Sequence, residues 1–375
     1  MGGLARRDLW LLPLIAFATV VVLFLGSEAV ARIFWPEQLF NACRLFDSAV
    51  GVRYRPNCST TMKTPEGPWY VASYNACGYR SDAPCGPIPP GTRRVALLGT
   101  STSEGYLVEY PNTMGAQIET DLTRLCGAPV QVQNLGALAP FGHQLLLRMD
   151  EALRLHPNAV VLILAPFDLE DLTAAAATDA PTAIPAAEPP AGFAKHVFDE
   201  LKDSRALTVA QHFLFRNLNV YLSLYLRYGD KADFLRSPFT PKWQERLQAL
   251  DTIVAGLSAR AQRAGVPLTL AYVPQEAQVA LMAPGRTAPA GVNPAALPAA
   301  IAQIAARHNA IFVDSSLALR THPAPERLYY QVDGHLSGKG QPIVGSYIAQ
   351  TLAGKREGPF AACRGTVSAS LEVPQ

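Results

Sequence analysis

Short apolar runs alternate along this chain with segments whose apolar residues recur every three or four positions. The runs are Val95-Ala96-Leu97-Leu98, Val130 to Val132, Ala159 to Leu164, Leu268 to Val273 and Ala310 to Val313. Continuous runs of this length suit strands buried on both faces, as in a parallel sheet. The second is the least regular, because Gln131 and Gln133 interrupt it. Between the runs, Met114, Ile118, Leu122 and Leu125 keep helical spacing, and Gly127 stands where a C-terminal cap belongs. Leu145, Met149 and Leu153 do the same, with Pro157 just beyond. Trp243, Leu247, Leu250, Val254 and Leu257 mark a longer helix that ends near Gly265, and Ile343, Val344, Tyr347, Ile348 and Leu352 mark the last one. Strands alternating with helices predict right-handed βαβ units in a doubly wound sheet.

The N-terminus departs from this pattern. Leu9 to Gly26 carries no charged residue. At about 1.5 Å rise per residue it crosses most of a hydrocarbon core about 30 Å thick. Arg6 and Arg7 precede it, so the positive-inside rule keeps the N-terminus cytoplasmic and exports the chain beyond residue 30. Ala29-Val30-Ala31 resembles a signal-peptidase site, but the run exceeds a signal core of roughly 7–15 residues. We therefore expect residues 1–31 to hold a retained single-pass anchor in a bacterial inner membrane, with the rest periplasmic. Residues 32–93, rich in Pro, Gly, Asn and Cys, read as an ordered lead-in packed on a main domain of residues 94–354, followed by a tail, 355–375. An insertion, 172–235, interrupts the domain. Its first part, 172–193, is a low-complexity loop. Its second, 196–235, is helical and is expected to pack on the domain, in preference to forming a lid or a surface for membrane or partner.

Composition sharpens this picture. Hydrophobic residues make up 49% and charged residues 17% of the 375, which supports a large core and excludes disorder. A net charge of +2 with no basic cluster excludes a nucleic-acid partner. The six cysteines are even in number and form no C-x-x-C pair, which favours disulfides over a metal site. Spacing does not determine the pairing. The favoured pairs are Cys77–Cys85, across a short loop, and Cys126–Cys363, tying down the tail.

In an open parallel sheet, ligands bind beyond the carboxyl ends of the strands. The first run is followed by Gly99-Thr100-Ser101-Thr102-Ser103, the second by Asn134-Leu135-Gly136, and the third by Ala165-Pro166-Phe167-Asp168-Leu169-Glu170-Asp171. Asp333-Gly334-His335 precedes the last helix. Serine becomes a useful nucleophile only when a base takes its proton. His335 can be that base, Asp333 can orient it, and backbone N–H groups near Ser101, Thr102 and Gly136 can hold a developing oxyanion. Asp168, Glu170 and Asp171 could instead bind a metal, as in a phosphoesterase. No second ligand cluster accompanies them, so capping is the expected role, and no metal or cofactor is expected.

The order and spacing of these segments resemble the SGNH/GDSL hydrolase superfamily, and more closely its membrane-anchored bacterial branch, over roughly residues 74–354. Asn75-Ala76-Cys77-Gly78-Tyr79-Arg80 matches the branch's N-x-x-G-[FY]-R lead-in. The resemblance implies Ser101 as nucleophile, Gly136 as an oxyanion donor, and Asp333 and His335 as acid and base. It also implies a three-layer α/β/α, flavodoxin-like fold with a mainly parallel five-stranded sheet. Thr100 replaces the usual Asp, and Ser337 replaces the usual Asn. Phe167 stands where the branch carries an Asn oxyanion donor, and a phenyl ring donates no hydrogen bond. The function implied is a serine esterase or acyl (acetyl) transferase acting on an acylated small molecule or a surface polysaccharide. The alternative is a catalytically weakened domain that binds glycan or partners a membrane acyltransferase.

Overall fold

The computed structural model describes residues 8–138, 141–170, 172–173, 204–355 and 357–366. Arg6, Arg7, Asp171, nearly all of the low-complexity loop and the end of the tail lie outside the described residues.

Nine strands are present among the described residues. Four belong to the lead-in, as antiparallel hairpins β1 (Arg44–Asp47) with β2 (Gly51–Tyr54), and β3 (Ser59–Met62) with β4 (Tyr70–Ser73). The other five are β5 (Arg93–Leu98), β6 (Val130–Asn134), β7 (Ala159–Leu164), β8 (Leu268–Tyr272) and β9 (Ile311–Asp314). They match the five apolar runs and form one wholly parallel sheet in the order β6-β5-β7-β8-β9. Both faces are covered, as an all-parallel sheet requires. Ala96, Leu98, Val160, Leu162 and Leu164 point into one core, with Met149, Leu250, Leu257 and Ile301. Their neighbours Val95, Leu97, Val161 and Ile163 point into the other, with Ile118, Leu122, Val344 and Ile348. This two-residue alternation produces the three layers.

Twelve described helices flank the sheet or precede it: α1 (Asp8–Phe34), α2 (Ser101–Glu104), α3 (Met114–Cys126), α4 (Gln144–Leu153), α5 (Pro166–Leu169), α6 (Arg205–Phe215), α7 (Leu218–Tyr225), α8 (Pro241–Arg263), α9 (Glu276–Met282), α10 (Ala296–Arg307), α11 (Ser316–Leu319) and α12 (Gly340–Gly354). Gly127 caps α3 with φ of 59°, as its position predicts. Helix α1 is long and apolar enough to cross a membrane, and its apolar window is unburied. The Glu28 carboxylate near its end accepts hydrogen bonds from Ser204 Oγ and the Arg205 and Ala206 N–H groups, which caps α6. Further along the insertion, Tyr221, Leu222 and Tyr225 of α7 are buried in the main core. On α6, by contrast, Phe215 is buried while Leu207, Phe213 and Leu214 are exposed.

Cys77–Cys85 and Cys126–Cys363 are both bonded, joined by a third bridge, Cys43–Cys58. The chain runs from β5 to β6 on one side and then to β7 on the other. The sheet therefore changes winding direction at β5 and β7, and a site is expected beyond their carboxyl ends.

Candidate active site

Ser101 opens α2 directly after β5 and the Gly99-Thr100 turn. Its Oγ lies 2.8 Å from His335 Nε2, and His335 Nδ1 lies 2.6 Å from Asp333 Oδ1. The three residues come from segments 234 positions apart. They form the nucleophile–base–orienter arrangement needed for acyl transfer. Asp333 also accepts the His335 backbone N–H at 3.1 Å, so one carboxylate holds both ring and backbone. Gly334, between them, has φ of 85°, and a Cβ there would meet the Phe167 ring at 2.9 Å. Only glycine suits both constraints.

Each neighbouring segment is anchored by a buried polar group. Thr100, in place of the usual Asp, donates its hydroxyl to Asp168, whose other oxygen accepts the Ala165 N–H at 2.7 Å. Asp168 thereby ties the turn after β5 to the end of β7. Burial pushes its carboxyl up to about 6, against the lowering effect of these two hydrogen bonds. Glu104, at the end of α2, is buried and accepts from Tyr54 and Tyr74, whose rings stack at 4.0 Å. Arg80 closes the lead-in motif. It is buried, and its guanidinium donates to the Gly105 and Val108 carbonyls just after α2. Asn75 starts the motif and accepts the Cys77 and Tyr79 N–H groups at 3.0 and 3.1 Å. Ser337 donates to the Leu328 carbonyl and closes the far side of the His335 segment.

Two rings flank the base. Tyr106 meets His335 edge-on at 5.3 Å, and Phe167 stacks on it at 5.8 Å. Phe167 is 36% exposed at the rim of the site, so the position expected to carry an amide donor is at the reaction centre and is filled by an apolar ring. Gly136 corrects an expectation. Its N–H donates to Asn134 Oδ1 at 2.9 Å and is not free for an oxyanion. The glycine is needed for packing instead, since a Cβ there would meet the Glu104 nitrogen at 2.6 Å. The N–H groups of Ser101 and Thr102 remain, because the first turn of a helix offers them no intrahelical acceptor. Thr102 itself is buried, and its carbonyl accepts from Gln341.

Asp168 is committed to Thr100 and Ala165, Glu170 lies 3.9 Å from Lys231, and Asp171 is outside the described residues. Among the described residues no group of three or more His, Cys, Asp or Glu could hold a metal ion. Glu66 is a residue that sequence reasoning missed. It belongs to the β3–β4 loop, yet it bonds the backbone of Val332 and Asp333. A cavity of about 650 Å³ is lined by Glu66, His212, Tyr330 and Lys339 and not by Ser101 or His335.

Charge sets the pH dependence. Burial alone would push the His335 imidazole down, but Asp333, with Asp168 and Glu104, outweighs it and holds the ring above its ordinary 6.5. Burial works against the Asp333 carboxylate too, yet the imidazole holds it below its ordinary value. His335 must be neutral to accept a proton from Ser101, so kcat/KM for an ester rises with pH through that raised pKa. A pH–rate profile is expected to show an acid limb with its midpoint above 6.5. A midpoint at or below that value contradicts the pairing with Asp333.

One family description, GDSL-like Lipase/Acylhydrolase family, matches residues 97–343, about two-thirds of the chain. No curated protein matches. Among solved structures, TesA is 15% identical with a TM-score of 0.39, over 69% of this chain and 98% of that one. A lipase/acylhydrolase from Enterococcus faecalis is 16% identical with a TM-score of 0.38, over 70% and 96%. The psychrotrophic esterase EstA from Pseudoalteromonas sp. is 13% identical with a TM-score of 0.36, over 68% and 94%. The match across residues 97–343 spans the Ser101 turn, β7 and the Asp333–His335 segment, and on it this chain belongs to the GDSL-like lipase/acylhydrolase family.

Proposed function

We propose that the protein is a membrane-anchored serine esterase or acyltransferase that works outside the cytoplasmic membrane on a small acyl ester, with an acetylated surface glycan as the substrate class. The observation that carries this reading is the hydrogen-bonded chain from Asp333 through His335 to Ser101. Ser101 Oγ attacks the ester carbonyl while its proton passes to His335 Nε2. The alcohol leaves with that proton, and the acyl group stays on Ser101. Water then completes hydrolysis, or a sugar hydroxyl completes transfer, each giving its proton to His335. The three disulfides and the apolar α1 support an exported, anchored domain.

A second reading has its own support. Phe167 at the rim and the occupied Gly136 N–H leave the oxyanion with fewer donors, as in a domain kept for glycan binding or for partnering a membrane acyltransferase. Turnover of p-nitrophenyl acetate by the purified full chain separates the two. Wild type is expected to turn over, and Phe167→Asn to raise kcat by about 10²-fold, the usual worth of one oxyanion donor. Absence of turnover in both proteins refutes the enzyme reading.

A further inference from the structure

The Asp333–His335 segment is held from behind by a residue of the lead-in. Glu66 lies in the loop joining β3 to β4, and its side chain is only 4% exposed. Its Oε2 accepts the Val332 and Asp333 N–H groups, each at 3.0 Å, and its Oε1 lies 3.1 Å from the same Val332 nitrogen. His212 Nδ1, on α6, lies 2.9 Å from Oε1. The loop is seated by contact as well: a Cβ on Gly67 would meet Thr64 Oγ1 at 2.9 Å and the Tyr330 ring at 3.2 Å. Tyr330 in turn starts the turn that carries Asp333 and His335, since its N–H donates to the His335 carbonyl and its carbonyl accepts the Gly334 N–H. One buried oxygen placed on two successive amides fixes their direction.

We propose that Glu66 is a positioning residue: it aims the Asp333 carboxylate at His335 by clamping the Val332–Asp333 backbone, with His212 bracing it from α6. This deepens, and rests on, the serine-esterase reading. The role is geometric. One oxygen accepts both amides, so Gln in place of Glu66 keeps the clamp, whereas Ala loses it and Asp falls a methylene short. Asp333, Asp168 and Glu104 supply the charge around His335, Tyr106 and Phe167 supply the rings, and Glu66 acts on this set through the position of Asp333.

The test is an NMR titration of the His335 imidazole in the full chain in detergent micelles, beside kcat and KM for p-nitrophenyl acetate. In wild type the midpoint is expected above 6.5, because Asp333 raises it. In Glu66→Ala it is expected to fall towards 6.5, with kcat lowered about 10²-fold, the cost of misplacing a reacting group by about 1 Å, and KM within about twofold. Glu66→Gln is expected to restore both. Where Glu66→Ala does not fold, Glu66→Asp is read the same way. A folded Ala or Asp variant with the wild-type midpoint overturns the proposal, as does a Gln variant no better than Ala. The titration needs no turnover, so an inactive wild type refutes the esterase reading and leaves the role of Glu66 to be decided by the midpoints.

Discussion

Replacing Ser101 with Ala is expected to lower turnover of p-nitrophenyl acetate by about 10⁴- to 10⁶-fold, the range seen when a triad nucleophile is removed. Ser101 Oγ is the only hydroxyl bonded to His335 among the described residues. Without it His335 has no serine proton to accept, and the acyl-enzyme route closes. The substitution removes one oxygen at the start of a four-residue helix whose anchors, Glu104 and Thr100, remain in place. The loss is therefore expected to appear in kcat with little change in thermal midpoint. Initial rates measured beside a thermal melt check both halves. A folded Ala variant that keeps more than about a tenth of wild-type activity would place the chemistry elsewhere.

Replacing Asp333 with Asn is expected to cost about 10³- to 10⁴-fold in kcat, as it does in other triads. The carboxylate now accepts from His335 Nδ1 at 2.6 Å, which leaves Nε2 free to take the serine proton. An amide can present its NH₂ group to Nδ1 instead and favour the tautomer with the proton on Nε2, which cannot act as base. The variant also loses the charge that holds His335 above 6.5, so its acid limb is expected to move to lower pH as its rate falls. Steady-state rates across a pH range of about 5 to 9 measure both effects. An unchanged acid limb would mean that Asp333 does not set the protonation of His335.

The elements legible in the sequence are those with a local signal. The three central runs became β5, β7 and β8 because burial on both faces leaves no polar alternation, and Gly127 was readable because a left-handed cap is a one-residue requirement. The Ser101 and Asp333–His335 segments were legible as short motifs that the order of the sheet brings to one edge. Gly136 was misread for the opposite reason. A glycine states only that a side chain is not tolerated, and whether that space faces a ligand or the backbone of Glu104 depends on packing. Glu66 left no mark at all, because its partners in the His335 segment lie 266 residues away and nothing in the β3–β4 loop announces them. Phe167 was visible as a departure, but its stacking on His335 was not.

The most direct test of the central claim is reaction of the full-length protein with a fluorophosphonate, followed by mass spectrometry of the labelled peptide. Such a probe reports a serine activated by a neighbouring base, whatever the natural acyl group or acceptor. The account predicts one adduct, on the peptide that contains Ser101, faster as His335 loses its proton and absent from Ser101→Ala. An adduct on another serine, or no adduct on folded wild-type protein, contradicts it.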